Sequence, residues 1–302
     1  MKLLIAYDGS ECADAAIDDL GRAGLPPETD ALVVSVADVS AHLAAPGDSG
    51  LEPLGIVQPE LAAITAQNLV AQAIAEACST AERAAGRVRG LFPKWNVHTE
   101  TSAGSPAGEI IQKAEQWKAG LLVVGSHGRS ALGRLLFGSV STKIVAYAPC
   151  SVRVVRRAHG AASGPVKIVL GLDGSADATA ALRAIEARIW PGGSEVKVVV
   201  SVDVRMATSP PASGQDPQMW AQKTADDAVE QLHAAGLAAT PVLHRGDPKQ
   251  VLAQEAEKWG ADCIFVGAKG MTRLERFLLG SVSSSVASRA HCSVEVCRGS
   301  KV

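Results

Sequence analysis

The chain is poor in aromatic side chains and has no long apolar run. Aromatic residues make up 4% of its 302 residues. No segment approaches the roughly 20 consecutive apolar residues that a membrane-spanning helix needs, and the opening run that ends at Tyr7 is followed at once by Asp8. We therefore expect no membrane segment and a cytoplasmic location.

The chain also lacks an excess of charge of one sign. It contains 29 Lys and Arg against 31 Asp and Glu, for a net charge of −2. Binding to a nucleic acid backbone depends on a basic surface, and none of the usual Cys and His finger spacings is present. We therefore expect no nucleic acid partner.

Cysteine is scarce and scattered. A chain of this length does not need disulfide bonds for stability, so the six cysteines are interpreted as reduced residues, mostly of the core. Cys292 and Cys297 lie near His291, but in a strand their side chains would point to opposite faces. No metal site is expected.

A glycine motif, Gly-x₂-Gly-x₉-Gly-Ser, occurs twice. The two copies are Gly125, Gly128, Gly138 and Ser139, and Gly267, Gly270, Gly280 and Ser281. Each follows an apolar run typical of a buried strand and precedes a predicted helix. Glycine lets backbone N–H groups approach an anion, and a helix N-terminus has unpaired N–H donors. The motif predicts a phosphate site, although such turns also occur in α/β folds without a ligand.

The motif belongs to an internal duplication. Residues 150–152 match 292–294 at an offset of 142, whereas Asp8-Gly9-Ser10 matches Asp173-Gly174-Ser175 at an offset of 165. The first copy therefore carries about 23 additional residues, assigned to the loop from Ser40 to Pro59 and the helix after it. We predict domains at 1–157 and 165–302, joined by a linker at 158–164 that is rich in small residues.

Each copy alternates short apolar runs with helical patterns, which predicts β-α-β-α-β-α-β-α-β twice and a parallel sheet between helical layers. Ligands of such sheets bind at the carboxyl ends of strands where the strand order reverses. The predicted strands are Lys2 to Tyr7, Ala31 to Val36, Val97 to Thr101, Leu121 to Val124 and Val152 to Val155, then Lys167 to Leu172, Val196 to Val202, Ala239 to His244, Cys263 to Val266 and Val294 to Cys297.

Together, the Asp-Gly-Ser after the first strand, the Asp after the second and the doubled glycine motif resemble a tandem universal stress protein. The resemblance implies an α/β fold with two tandem open parallel five-stranded sheets flanked by helices, similar to adenine nucleotide alpha hydrolases and Rossmann-like. The complete motif resembles the ATP-binding branch of that family, which implies ATP, with Mg²⁺, as the cofactor.

The resemblance also implies roles for particular residues. It places Asp8 and Asp173 near the adenosine and the backbone of Val36 and Val202 beside the adenine. It assigns the ribose and phosphates to the following residues: Gly125, Gly128, Gly138 and Ser139 in the first copy, Gly267, Gly270, Gly280 and Ser281 in the second, with Ser141 and Ser283 as additional hydroxyl donors. The alternative for both aspartates is that they simply cap the turn or the first helix.

The two copies differ at the tip of the motif. Ser126-His127 stands in the first copy and Ala268-Lys269 in the second, and Arg129 is replaced by Met271. The copies are therefore expected to bind nucleotide unequally. A duplicated proton-transfer role for His127 is not expected, because lysine cannot replace it near neutral pH. Arg134 and Arg276 are interpreted as solvated or partner-facing.

We expect a nucleotide-dependent stress-response or regulatory module with little or slow hydrolysis. One alternative is a slow ATPase or nucleotidyl-transfer enzyme in which Asp8 and Ser10 anchor a metal. Another is an interaction scaffold, an intrachain pseudo-dimer whose last strands, Val152 to Val155 and Val294 to Cys297, pair to avoid exposed edges. Association of two chains into a homodimer is left open.

Overall fold

A computed structural model describes residues 1–39, 59–128, 137–156, 164–202, 216–270 and 279–299, with the backbone alone for 59–64. Several sequence predictions fall outside these ranges: nearly all of the Ser40 to Pro59 loop, linker residues 158–163, Arg129, Arg134, Met271 and Arg276.

The predicted alternation of strands and helices is confirmed in both halves of the chain. The first half contains β1 (Lys2–Ala6), α1 (Glu11–Asp19), β2 (Asp30–Ala37), α2 (Pro59–Leu91), β3 (Asn96–Ala103), α3 (Pro106–Trp117), β4 (Leu121–Gly125), α4 (Ser139–Tyr147) and β5 (Ser151–Val155). The second half contains β6 (Lys167–Leu172), α5 (Ala176–Glu186), β7 (Glu195–Val202), α6 (Pro217–Ala234), β8 (Ala238–Arg245), α7 (Pro248–Trp259), β9 (Cys263–Gly267), α8 (Ser281–Arg289) and β10 (Ser293–Cys297).

The strands form one sheet of ten, in the order β3-β2-β1-β4-β5-β10-β9-β6-β7-β8. Within each half all pairings are parallel, as the α/β prediction required. The expectation of two separate five-stranded sheets is corrected, because β5 and β10 pair antiparallel and make the sheet continuous. The predicted pairing of the last strands is thereby confirmed.

The two faces of the sheet are built differently. On one face, α3, α4, α7 and α8 cover a single apolar cluster that runs through both halves and includes Val152 and Val154 of β5 and Val294 and Val296 of β10. On the other face, α1 and α2 cover a cluster of the first half, and α5 and α6 cover one of the second. The halves therefore share a core on one side only.

Local sequence explains where the main helices begin. Ser10 and Ser175 cap α1 and α5 by accepting the backbone N–H groups of Ala13 and Ala178. Helix α2 has 33 residues against 18 for its counterpart α6, so part of the additional length of the first half lies in this helix, as expected.

Two further findings concern the composition. All six cysteines are free, and four are buried, but Cys78 is exposed and Cys12 half-buried, so the core interpretation is wrong for Cys78.

Within the described ranges, no helix is both long and apolar enough to cross a bilayer.

Replacing Gly24 should destabilise the fold by perturbing the contact between the halves. Gly24 has φ of +64°, and an added Cβ would lie 3.0 Å from Cδ2 of Trp190. We expect Gly24→Ala to lower the free energy of unfolding by about 1–3 kcal/mol, because of left-handed strain and overpacking. Urea unfolding measures it. The control Gly21→Ala, where an added Cβ meets nothing within 4 Å, should not destabilise; equal losses in both would contradict the explanation.

Candidate functional site

The motif residues lie where the strand order reverses. Strand β1 pairs with β2 on one side and with β4 on the other, so the carboxyl ends of β1 and β4 are adjacent. Asp8 follows β1 and Gly125 ends β4. The second half repeats this arrangement with β6 and β9, Asp173 and Gly267. Such switch points are where open α/β sheets usually bind ligands.

The first glycine of the motif is required by packing. A Cβ on Gly125 would lie 2.7 Å from the carbonyl carbon of Cys12, and one on Gly267 would lie 2.5 Å from the backbone N of Ala178. The first turns of α1 and α5 therefore sit directly against the strand ends. This close approach explains the glycine without any ligand, a role that the sequence interpretation did not separate from phosphate binding.

The second glycine lies against the aspartate. A Cβ on Gly128 would lie 2.8 Å from Oδ2 of Asp8, and the distance is the same between Gly270 and Asp173. The other carboxylate oxygen, Oδ1 of Asp8, accepts the backbone N–H of Ser10 at 3.0 Å. The structural cap considered for the aspartate is thus present, while Oδ2 faces the glycine loop.

Ser10 joins the loop to helix α1. Its hydroxyl accepts from Ala13 N at 3.2 Å and donates to the carbonyl of His127 at 3.4 Å. Ser175 does the same in the second half, donating to the carbonyl of Lys269 at 3.0 Å. Because this hydroxyl is engaged twice with protein, the geometry favours a structural role for Ser10 over the metal-anchoring alternative.

The third glycine heads a helix for which the described residues supply no side-chain cap. Gly138 is the N-cap of α4 and Gly280 that of α8, and neither has a capping side-chain hydrogen bond. The N–H of Gly138 donates to the carbonyl of Ser126 at 2.9 Å, which ties the start of α4 to the residue that follows β4. Ser139 and Ser281 are the first, exposed residues of these helices. Their first-turn N–H groups have no intrahelical acceptor.

Ser141 and Ser283 serve the loop. Both are buried, and the Ser141 hydroxyl lies 2.9 Å from the carbonyl of Ser126 and 3.0 Å from that of Gly138, to which it donates. Ser283 has the equivalent contacts with Ala268 and Gly280, both at 3.0 Å. In the structure these hydroxyls donate to main-chain carbonyls of the motif, and their donation to a nucleotide stays a prediction.

Val36 and Val202 do not occupy equivalent positions. Val36 pairs with Ser102 and Val202 with Arg245, and the strand register makes Ser201 the counterpart of Val36 and Ala37 that of Val202. The carbonyls of Ala37 and Val202 accept from Gly104 and Gly246 at 3.0 and 3.2 Å, respectively. The sequence match of Val36 with Val202 was therefore wrong by one residue. Because successive residues of a strand face opposite ways, the backbone groups of Val202 point away from the side on which those of Val36 lie.

The loop tips differ electrostatically. Burial lowers the pKa of His127 below its ordinary 6.5, and the charge of Arg156 lowers it further. Its Nδ1 lies 2.8 Å from Oγ of Ser126. In the second half, the N–H of Lys269 donates to Oδ2 of Asp177 at 3.0 Å.

The carboxylate of Asp177 was missed from the sequence. Its Oδ1 also accepts the N–H of Gly299 at 3.0 Å. At the repeat offset of 165 the first half has Cys12 in its place, so the carboxylate is specific to the second loop. Aligning the halves residue by residue would have revealed it. Asp177 offsets the additional positive charge that Lys269 was expected to give the second site.

Arginines exchanged between the halves were also missed. Arg156, after β5, donates to the carbonyl of Ala287 near the end of α8 at 2.7 Å. Arg298, after β10, donates to Val145 in α4 at 2.6 Å. Each glycine-headed helix thus receives, at its other end, a cation from the opposite half, where a positive charge is favourable.

Fold and site together define a duplicated α/β protein with a glycine-headed helix at the switch point of each half. The family model of the universal stress protein family matches residues 1–156 and again 166–298. The chain therefore belongs to the universal stress protein family, as a tandem member.

Individual relatives agree with this. A universal stress protein of Mycolicibacterium smegmatis is 32% identical over 222 residues, which cover 70% of this chain and 71% of the relative. The crystal structure of a universal stress protein from Archaeoglobus fulgidus covers 99% of this chain and 98% of its own at 22% identity, with a TM-score of 0.62, which shows the shared fold.

A universal stress protein family protein from Arabidopsis thaliana, solved with AMP bound, covers 45% of this chain and 93% of its own at 20% identity, with a TM-score of 0.35. A likeness at that level carries no argument about the present site.

The packing role of the first glycine can be tested without ligand. Gly125→Ala and Gly267→Ala each place a Cβ against backbone atoms that cannot move aside. We expect each to lower the free energy of unfolding by about 1–3 kcal/mol or more. Gly90→Ala in α2, where an added Cβ meets nothing within 4 Å, should be neutral or stabilising by about 1 kcal/mol. Unchanged urea midpoints in both motif variants would show that the glycine serves only a ligand.

The depressed pKa of His127 makes a pH prediction. The folded state favours the neutral imidazole, whereas the unfolded state titrates near 6.5. The unfolded chain therefore binds more protons just below that pH, so the stabilising contribution is complete above it and is lost as the pH falls. Urea midpoints at about pH 7.5 and 5.5 should differ more for the wild type than for His127→Gln. An equal difference would contradict the assignment.

Proposed function

We propose that each half of the chain binds ATP, with Mg²⁺ held by the phosphates, and that the bound nucleotide regulates the protein in a stress response with little or slow hydrolysis. The observation that carries the proposal is the helix N-terminus behind Gly138, and again behind Gly280, together with a carboxylate, Asp8 or Asp173, that follows the first strand of the same half and lies against the second glycine of the motif. The family supplies the stress-response setting.

The groups at the helix start and the nearby aspartate suit a nucleotide. First-turn N–H groups and the positive end of the helix dipole attract a polyphosphate without a dedicated lysine. We assign to the carboxylate of Asp8, whose Oδ2 faces Gly128, the role of accepting a ribose hydroxyl. Gly138 N and the Ser141 hydroxyl both donate to the carbonyl of Ser126, so the start of α4 is held beside the end of β4 without a ligand. A preformed site loses less entropy on binding.

The adenine contact is revised by the strand register. In the first half we retain the backbone of Val36 at the end of β2. In the second half we assign the equivalent contact to Ser201 in place of Val202, because the carbonyl of Val202 is engaged with Gly246. The hydroxyl of Ser201 donates to the carbonyl of Gly246 at 2.7 Å, which fixes the end of that strand.

The two sites should bind with different strength. In the second half, the Asp177 carboxylate holds the N–H of Lys269 and places a negative charge beside the loop. In the first half, His127 is kept neutral near pH 7 by its lowered pKa. A difference of one charge contact changes affinity by about 1 kcal/mol, which is several-fold.

Glycine-to-glutamate variants test the site assignment. Gly138→Glu adds bulk at a position where even a Cβ would lie 3.2 Å from Ser126 O, and it adds a negative charge at the helix start. Titration calorimetry with Mg-ATP should find two sites in the wild type and one in Gly138→Glu or Gly280→Glu. The double variant should bind none.

The control is Gly192→Glu, which adds the same charge at an exposed glycine where an added Cβ meets nothing within 4 Å. It should bind two ATP molecules. Two sites retained in folded Gly138→Glu would refute the assignment of the first pocket. Phosphate release during the same titrations measures hydrolysis, and rapid release from the wild type would refute the regulatory reading.

A further inference from the structure

The seam, defined as the antiparallel pair of β5 and β10, joins two copies of one duplicated unit but is not symmetric. Arg153 of β5 and Glu295 of β10 occupy equivalent positions at the repeat offset of 142, and they lie opposite each other in the register. In a twofold pair of identical strands this position would face its own copy. Here opposite charges face one another.

The central pair belongs to a buried row of alternating charge. Asp19 in α1 lies 2.6 Å from Arg153, and Arg153 lies 3.3 Å from Glu295. Glu295 accepts in turn from Nη1 of Arg188 at 2.9 Å. The side chains of Asp19, Arg153 and Glu295 are at most 2% exposed. The row therefore reads negative, positive, negative, positive, with three attractive contacts.

Pairing of either half with its own copy would reverse the central contact. Two first halves would place Arg153 against Arg153, and two second halves would place Glu295 against Glu295. Each half supplies one flanking partner, Asp19 or Arg188, so the flanks would remain attractive while the centre became repulsive. Like charges in a buried, weakly screened site cost several kcal/mol. In the present seam, burial alone would lower the pKa of Arg153, but Asp19, Cys263 and Glu295 together raise it, so the charged guanidinium is stabilised by groups from both halves.

Side-chain size has diverged at the same seam. Arg188 donates to the carbonyl of Ala23 at 3.0 Å, and positions 23 and 188 are equivalent in the repeat. Gly24, whose counterpart is Ile189, leaves room for the ring of Trp190. In the present seam Arg188 is matched by the small Ala23, and Ile189 by Gly24. Two second halves would instead bring two arginines together at the first position and two isoleucines at the second.

A third contact has no counterpart across the pseudo-twofold axis. Arg22 pairs with Asp262 at 2.8 Å, with both side chains largely buried. The equivalent residues are Ala187 and Gly120, which cannot form an ion pair. By contrast, the arginine contacts of Arg156 and Arg298 are kept on both sides. The seam has therefore changed at selected positions while its symmetric contacts persist.

We propose that the edges of β5 and β10 recognise each other selectively, so that the first half pairs with the second half of a chain and not with another first half. The partner of each edge is a complementary half, defined by the charge row and by the large-to-small contacts around Gly24. An association of two chains through like edges, left open by the sequence, is disfavoured.

A cut chain tests the selectivity. A protease site is inserted within residues 158–163 of the full chain, and the folded protein is cleaved so that both halves remain together. Cut protein and its isotope-labelled copy are mixed in urea just below the unfolding midpoint, and native mass spectrometry identifies the particles. Particles with one first and one second half should exceed each like pair at least tenfold. A statistical 1:2:1 distribution, or an excess of like pairs, would overturn the proposal.

A double-mutant cycle in the uncut chain decides the matter if the cut halves do not exchange or do not stay folded. Arg153→Met and Glu295→Gln remove the central charges without introducing new ones. The double variant should lose clearly less stability than the two single variants together, which is the sign of an attractive contact. Additive losses would overturn the charge argument. The exposed pair Lys223 and Asp227, changed to Met and Asn, is the control and should show little coupling.

Discussion

The antiparallel contact between β5 and β10 is the constraint on which the rest of the structure depends. Alone, each half would end in a strand with unpaired N–H and C=O groups, buried beneath helices on both faces. Pairing satisfies these groups and makes one sheet of ten. Because side chains alternate along a strand, Val152 and Val154 enter the shared apolar cluster, whereas Arg153 points to the other face and needs opposite charges there.

The sites depend on a second constraint, the close approach of backbone to backbone at the strand ends. Gly125 lets the start of α1 settle on β4, and this brings the turn after β1 beside the glycine loop. Asp8 then meets Gly128, and Ser10 reaches the carbonyl of His127. The glycines of the motif thus have different tasks. The first serves packing, the second makes space for a carboxylate, and the third opens a helix whose N–H groups are free of a side-chain cap.

Much of this could be predicted from the sequence because hydrophobic periodicity and repetition are local signals. The strands, their order of appearance and the two motifs needed no knowledge of the three-dimensional fold. The choice of Val202 failed because the second half has one residue fewer between its valine and the aspartate that follows. A valine-to-valine match then conflicts with the register set by pairing to β8. Only the hydrogen-bonding register with β8 determines which residue has its backbone groups free at the end of the strand.

The seam charges were visible in the sequence but had no meaning until the pairing was known. Arg153 and Glu295 each interrupt an apolar strand, and the strands were treated as uniformly apolar. Their opposite signs at equivalent positions became informative once the strands were placed in register. The carbonyl contact of Ser141 was likewise not predictable, since a hydroxyl beside a loop suits a ligand or a carbonyl equally well and only the distance to the carbonyl of Ser126 reveals that contact.

The seam and the candidate sites are linked through two arginines. Arg156 follows β5 and adds to the effect of burial in lowering the pKa of His127 in its own half, and it also donates to the carbonyl of Ala287 in the glycine-headed helix of the other half. Arg298 makes the mirrored contact with Val145. A helix that offers N–H groups to an anion at its start is favoured by a cation at its end, since both interact well with the same dipole. Each half therefore supplies the cation at the end of the other half's glycine-headed helix, so pairing of the halves stabilises the helix of each candidate site.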